Sequence, residues 1–375
     1  MKSEKIENVL EKIYKRASKL PSSVVKNRNI RERVDYVCRC ISNRAGVRLL
    51  MSCLLGKIKN PKVDPRKPYT EIGTDDCFSG RTLDEHYLTP FINKYRLPCN
   101  PTTAFLTPTL RNNNTPLTTD HELVGRPREL YIKTIQLLDD VAKKRIPADT
   151  LLIDTVRVLL ILRNEKLARI KSLINSLGKS EGALPLSVEA IVMLISQHIV
   201  CKNSSRLPVL IVAAAYQAAG ERLGEQVMPL YSHNAADLQT GSLGDVEIHL
   251  KNDDSLVTAY EMKMKKVTLE DIDAAVAKIA RGKQKIDSYI FITTDVITEE
   301  VTEYAAKFYE ETGGTEIVVL DCIGFLRHFL HLFHRLRMDF LNTYQKLVLK
   351  EADSAVSQNL KEAFLALRQA AESDE

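Results

Sequence analysis

The sequence has no run of about 18 or more apolar residues, so no segment can cross a bilayer as a helix. Its first stretch, MKSEKIENVLEKIYKRASKL, alternates charged with apolar positions. It lacks the unbroken apolar centre of a secretion signal, and a cytoplasmic location is expected. There is no G-x-x-x-x-G-K-[ST] phosphate loop, which argues against energy-coupled translocation. Internal repeats and low-complexity tracts are also missing. The seven cysteines are odd in number and scattered through a long chain, as reduced thiols would be. Cys38 and Cys40 have Cys53 nearby but no evident fourth ligand, so zinc is not expected.

What is present fits a folded protein of two or three domains: 375 residues, 44% hydrophobic and 27% charged. The net charge of +5 is unevenly spread, because residues 1–60 hold fifteen Lys and Arg against five Asp and Glu. Such a segment suits a polyphosphate partner, or is simply the solvated surface of helices.

The first half reads as helical. Ile6, Val9, Leu10, Ile13 and Tyr14 paint one apolar face, and a second periodic stretch runs from about Arg31 to Lys57. Residues 58–80 read as a loop, and TLDEHYLTPFINKYRL as a short helix. The Pro-, Asn- and Thr-rich stretch that follows, to about 127, is long enough for a functional role. Helical periodicity returns from Arg126 to Gly178 and in SVEAIVMLISQHIVC.

After about Ser204 the character changes. SRLPVLIVAAAYQAAGERLG predicts a helix with Pro208 in its first turn. VMPLYSH, GDVEIHL and VTAYEMKMK predict three short strands. TLEDIDAAVAKIARG predicts a helix opened by Thr268 and Asp271, close to a capping box. SYIFITTD, TEEVTEYAAKFYEET and TEIVVLD add strand, helix and strand, and helices close the chain. The expected fold is therefore α/β: a mainly helical N-terminal region over 1–203 with long loops, a core over 204–322, and a C-terminal helical extension over 323–375.

Asp245 falls in one predicted strand, Glu261 and Lys263 in the next. Alternation along a strand puts Glu261 and Lys263 on one face, opposite Tyr260, Met262 and Met264. A hairpin through KNDDS would bring Asp245 beside Glu261. Adjacent carboxylates repel, and a divalent cation removes that cost; hard oxygen ligands suit Mg2+. Lys263 could stabilise charge on a reacting phosphate, or hold or deprotonate the attacking water. The bare D-x15-E-x-K spacing also fits an exposed polar face of an edge strand. Its setting, a helix before and a strand-helix-strand unit after, is the one a PD-(D/E)xK nuclease core needs. Gly244 stands where that motif often has proline, at a position that shapes backbone rather than binding metal.

The runs SRLPVLIVAAAYQAAGERLGEQVMPLYSHNAADLQTGSLGDVEIHL, VTAYEMKMKKVTLEDID and SGRTLDEHYLTPFINKYRLPCNPTTAFLTPTLRN resemble the SacI family of type II restriction endonucleases. The resemblance implies a restriction-endonuclease-like αβββαβ core and Mg2+-dependent double-strand cleavage of DNA at a short palindrome. It also implies a cognate DNA methyltransferase as functional partner. The shared motif falls on Asp245, Glu261 and Lys263 as catalytic residues, with Asp245 and Glu261 as metal ligands. A homodimer is expected, because a palindrome calls for two related active sites.

Other candidates are weaker. Glu221, Glu225 and Glu247 are additional acidic candidates; a helix end meeting solvent is the plainer reading of the first two. His233, Asn234, Gln239 and Thr240 precede the catalytic strand and could contact DNA, as could Arg111 and Asn112 at the end of the long loop. Connecting loop and solvated turn are the plainer readings. His328, His331 and His334 recur every third residue without an evident carboxylate or cysteine to complete a metal set. Two rival functions share the pattern: a repair nuclease or junction resolvase on the same core, and a DNA-binding protein with a decayed site.

Overall fold

The computed structural model describes residues 6–100, 102–111, 113–120, 125–177, 184–230, 242–252, 255–281 and 285–373. Two compact units result, Met1–Ala168 and Arg169–Glu375.

The first unit is helical. It comprises α1 (Ile6–Ala17), α2 (Arg28–Arg39), α3 (Ala45–Lys59), α4 (Gly80–Leu83), α5 (Thr89–Tyr95), α6 (Arg128–Ala142) and most of α7 (Ala148–Ser176). The single periodic stretch expected over 31–57 is two helices. Asn43 breaks it: its side chain accepts from the Ala45 amide at 2.9 Å, in a turn just ahead of α3. The stretch over 126–178 likewise divides between α6 and α7, where Lys144 takes a left-handed φ of 57°. α3 is apolar nearly all round and is buried from Ala45 to Gly56, the central helix of its unit.

The long loop after α5 is held by its own side chains. Ala104, Phe105, Leu110 and Leu117 are buried in the core of this unit. Arg48 and Asp84, also fully buried, pin its start. Arg48 Nε donates to Asp84 Oδ1 at 2.7 Å and Nη1 to the Asn100 carbonyl at 2.5 Å. Thr103 Oγ1 and the Ala104 amide donate to Asp84 Oδ2.

The second unit is α/β. α8 (Val188–Ile199) and α9 (Leu207–Leu223) lead into β1 (Glu225–Val227), β2 (Val246–Leu250) and β3 (Leu256–Lys263). Then follow α10 (Leu269–Arg281), β4 (Ser288–Thr293), α11 (Glu299–Ala306), β5 (Glu316–Asp321), α12 (Cys322–Leu332), α13 (Arg337–Lys350) and α14 (Gln358–Ser373). The sheet order is β1-β2-β3-β4-β5. β1, β2 and β3 pair antiparallel; β3, β4 and β5 pair parallel through the α10 and α11 crossovers.

Both faces of the sheet are covered. Ala259, Tyr289, Phe291, Ile317 and Val319 pack with Ile272 and Ala275 of α10 and Val301 and Ala305 of α11. Val246, Ile248, Tyr260 and Ile292 pack with α8, α9 and the C-terminal helices on the other side. The first strand was expected in VMPLYSH but lies at Glu225–Val227, overlapping it only at Val227. The Met228 amide still donates to the Glu247 carbonyl at 3.0 Å, and Pro229, with no N–H, ends the ladder. α11 is shorter than its periodic stretch and stops at Ala306. Among the described residues no helix is long and apolar enough to cross a membrane.

Candidate active site

The β2–β3 register pairs Val246 with Tyr260 and Glu247 with Ala259. One step further along the same ladder sets Asp245, the residue before β2, across from Glu261. The Asp245 carboxylate is exposed, and its Oδ2 accepts from the Met262 amide at 2.8 Å. That bond fastens Asp245 to the backbone between Glu261 and Lys263. Gly244 makes the approach feasible: a Cβ there would lie 2.5 Å from the Tyr260 carbonyl oxygen, which no side chain tolerates. Glycine is the one residue that fits this contact.

Glu261 and Lys263 share the face of β3 that meets α10. Lys263 Nζ lies 2.9 Å from Asp271 Oδ1 and 3.6 Å from Glu261 Oε1. Glu261 Oε2 is 3.3 Å from Lys278 Nζ and accepts from the Tyr289 hydroxyl at 3.2 Å. Partial burial works against the charged form of Lys263, but its hydrogen bond to Asp271 and the charges of Glu261 and Asp271 outweigh it and raise its pKa. Burial likewise works to raise the pKa of Asp271, and its bonds to Lys263 and Thr268 together with the charge of Lys263 more than reverse the effect.

The other acidic candidates are placed elsewhere. Glu221 pairs with Lys251, just past the end of β2 that lies away from Asp245. Glu225 pairs across β1–β2 with Leu250 at that same end, where burial raises its pKa. Both are separated from Asp245 by the length of β2, roughly 20 Å. Glu247 is turned into the preceding loop: Oε1 accepts from the Leu243 amide at 2.7 Å and the Ser242 hydroxyl at 3.0 Å. It steadies the segment that delivers Asp245. Arg111 is exposed, and its guanidinium donates to the Leu106 carbonyl at 3.0 Å. Asn112, His233, Asn234, Gln239 and Thr240 lie outside the described residues. His331 does have a carboxylate beside it, Glu189 at 3.2 Å, which Arg327 shares.

Sequence reasoning missed three groups in the site: Asp271 as partner of Lys263, and Lys278 and Tyr289 as partners of Glu261. The one available signal was the seven-residue interval between Asp271 and Lys278, which stacks them on one side of α10.

Among the described residues no cluster of three or more His, Cys, Asp or Glu forms. Two neighbouring carboxylates, Asp245 and Glu261, are nonetheless the donor set Mg2+ takes where waters and substrate phosphates complete its shell.

Residues 186–294 match the family model of the SacI restriction endonuclease C-terminal domain. The match supports a SacI-family relationship for this part of the chain. The match starts just before α8 and ends just after β4, and it contains Asp245, Glu261, Lys263, Asp271, Lys278 and Tyr289. No curated protein matches the chain. A match to a SacI-type domain suggests a restriction endonuclease.

Proposed function

We propose that the protein is a Mg2+-dependent type II restriction endonuclease on a PD-(D/E)xK core, with Asp245, Glu261 and Lys263 as its catalytic groups. The observation that carries this reading is the Asp245–Met262 hydrogen bond, which fixes one carboxylate beside the strand bearing the other two groups.

Asp245 and Glu261 would hold the ion. Bound Mg2+ supplies charge compensation on the phosphate oxygens and orients a water for attack. That water's oxygen bonds to phosphorus and gives up a proton to solvent while the bond to the 3′ oxygen breaks. The departing oxygen takes a proton from solvent, leaving a 5′-phosphate and a 3′-hydroxyl. Lys263, kept charged by Asp271 and Glu261, suits stabilisation of the extra negative charge on the phosphoryl oxygens better than removal of a proton from water.

The substrate in this reading is double-stranded DNA. The enzyme acts as a homodimer in the cytoplasm, with a cognate methyltransferase protecting host sites. The test is digestion of phage DNA by the purified protein with Mg2+, followed by sequencing of the fragment ends. Discrete bands with one sequence at every end are expected. A smear, or structure-specific cutting of junctions, would point to a repair nuclease or resolvase. Binding without cleavage would point to a decayed site.

A further inference from the structure

Lys263 ends a flexible four-carbon stem and is only partly covered, so something must fix its ammonium for it to act on one phosphate oxygen. Glu261 is a poor anchor. Its Oε1 lies 3.6 Å from Nζ, beyond hydrogen-bond length, and its Oε2 is occupied by Lys278 and Tyr289. Asp271 is the nearer partner, and it is itself held from two sides. Its Oδ2 accepts from the Thr268 amide at 3.0 Å and the Thr268 hydroxyl at 3.2 Å, while the Asp271 amide donates back to Thr268 Oγ1 at 3.3 Å. This is a reciprocal capping arrangement at the start of α10, where the helix dipole also favours a carboxylate. One oxygen of Asp271 serves the helix end, and the other faces Lys263 at 2.9 Å.

We propose that Asp271 is the positioning residue for Lys263, and that the cap of α10 aims the catalytic ammonium. This rests on the nuclease reading above. It separates two duties: Asp271 anchors Lys263, which leaves Glu261 available for a cation without loss of the lysine's position.

A residue that merely caps a helix affects stability alone, so the test splits the two roles. Asp271→Asn keeps an oxygen for Thr268 but removes the charge facing Lys263, whereas Asp271→Glu keeps both. Single-turnover cleavage at saturating DNA should fall roughly 10- to 100-fold in Asp271→Asn, the scale of a misplaced catalytic group. The duplex Kd, measured with Ca2+ in place of Mg2+, should stay within about twofold. Asp271→Glu should recover most of the rate. An unchanged rate in Asp271→Asn overturns the proposal, as does a fall that Asp271→Glu shares equally.

A second measurement does not depend on activity. Melting temperatures of Asp271→Asn, Lys263→Met and the double variant, taken with chelator present, form a cycle. Non-additive shifts are expected, and strict additivity overturns the proposal. If the wild-type protein fails to cut any DNA, the nuclease reading falls while this cycle still decides whether Asp271 holds Lys263.

Discussion

Asp245 stands across the β2–β3 pairing from Glu261, tied by its Oδ2 to the Met262 amide at 2.8 Å. Asp245 comes from the residue before β2 and Glu261 from β3, and the strand pairing together with the Met262 bond brings them level. If they share an ion, neither can act without the other. Glu261→Gln and Asp245→Asn should each slow Mg2+-dependent cleavage by about 10³-fold, equivalent to about 4 kcal/mol of lost transition-state stabilisation. Binding of the same duplex in Ca2+ should persist. Timed plasmid digestion checks this, and undiminished cutting by either variant would remove that residue from the mechanism.

Gly244 borders Asp245 and has no room for a side chain, its Cβ position lying 2.5 Å from the Tyr260 carbonyl. The obstacle is backbone of the neighbouring strand, which cannot swing away as a side-chain tip would. Gly244→Ala should cost about 1–3 kcal/mol of stability, the usual scale for overpacking. It should also reduce cleavage, since Asp245 moves with the strand. A melting temperature equal to wild type would show that the hairpin opens at no cost.

In the first unit, Arg48 and Asp84 form an ion pair with side chains 1% and 0% exposed. Burial pushes the Asp84 pKa up, against the charge of Arg48 and the hydrogen bond from Thr103. Removing one partner strands the other without solvent, so Arg48→Met should destabilise by about 3–5 kcal/mol. The double variant Arg48→Met with Asp84→Leu should lose less than Arg48→Met alone. Urea titrations of the three variants measure both quantities. A double variant worse than either single one would show that the pair's bonds to the 100–104 loop outweigh the charge effect.

His198 joins α8 to the C-terminal helices. Nε2 donates to the Leu360 carbonyl at 3.0 Å, and Nδ1 therefore accepts from the Tyr344 hydroxyl at 2.9 Å. Burial lowers its pKa to about 4 from 6.5, the hydrogen bond to Leu360 opposing. The unfolded chain thus takes up the proton first as pH falls. Stability should be unaffected above about pH 6.5 and should decline towards pH 4, by roughly 3 kcal/mol in total. His198→Gln should flatten that part of the profile. Matching pH dependence in both proteins would exclude His198 as its source.

Much of the second unit was legible along the chain because its signals are local. Period-two runs at β2, β3, β4 and β5 alternate with period-3.6 runs at α9, α10 and α11. Pro208 and Gly224 mark the ends of α9, where Gly224 takes the left-handed φ of 69°. That Glu261 and Lys263 share a face follows from strand alternation alone. The first unit was less legible. Short breaks such as Asn43 and Lys144 interrupt helices without disturbing the apolar period, so two helices read as one.

The sequence by itself determined the order of elements, the two carboxylates and the lysine, and the side of β3 from which Glu261 and Lys263 project. Only the tertiary structure decided the company they keep: Asp271 at Lys263, Lys278 and Tyr289 at Glu261, Glu247 turned into its own loop, and Glu221 drawn to Lys251 at the far end of β2. The reason is physical. Periodicity reports which face of an element is apolar, but pairing register and the rotation of a packed helix depend on contacts between residues distant in the chain. Those contacts choose, among several charged groups on one helix, the two that reach the site.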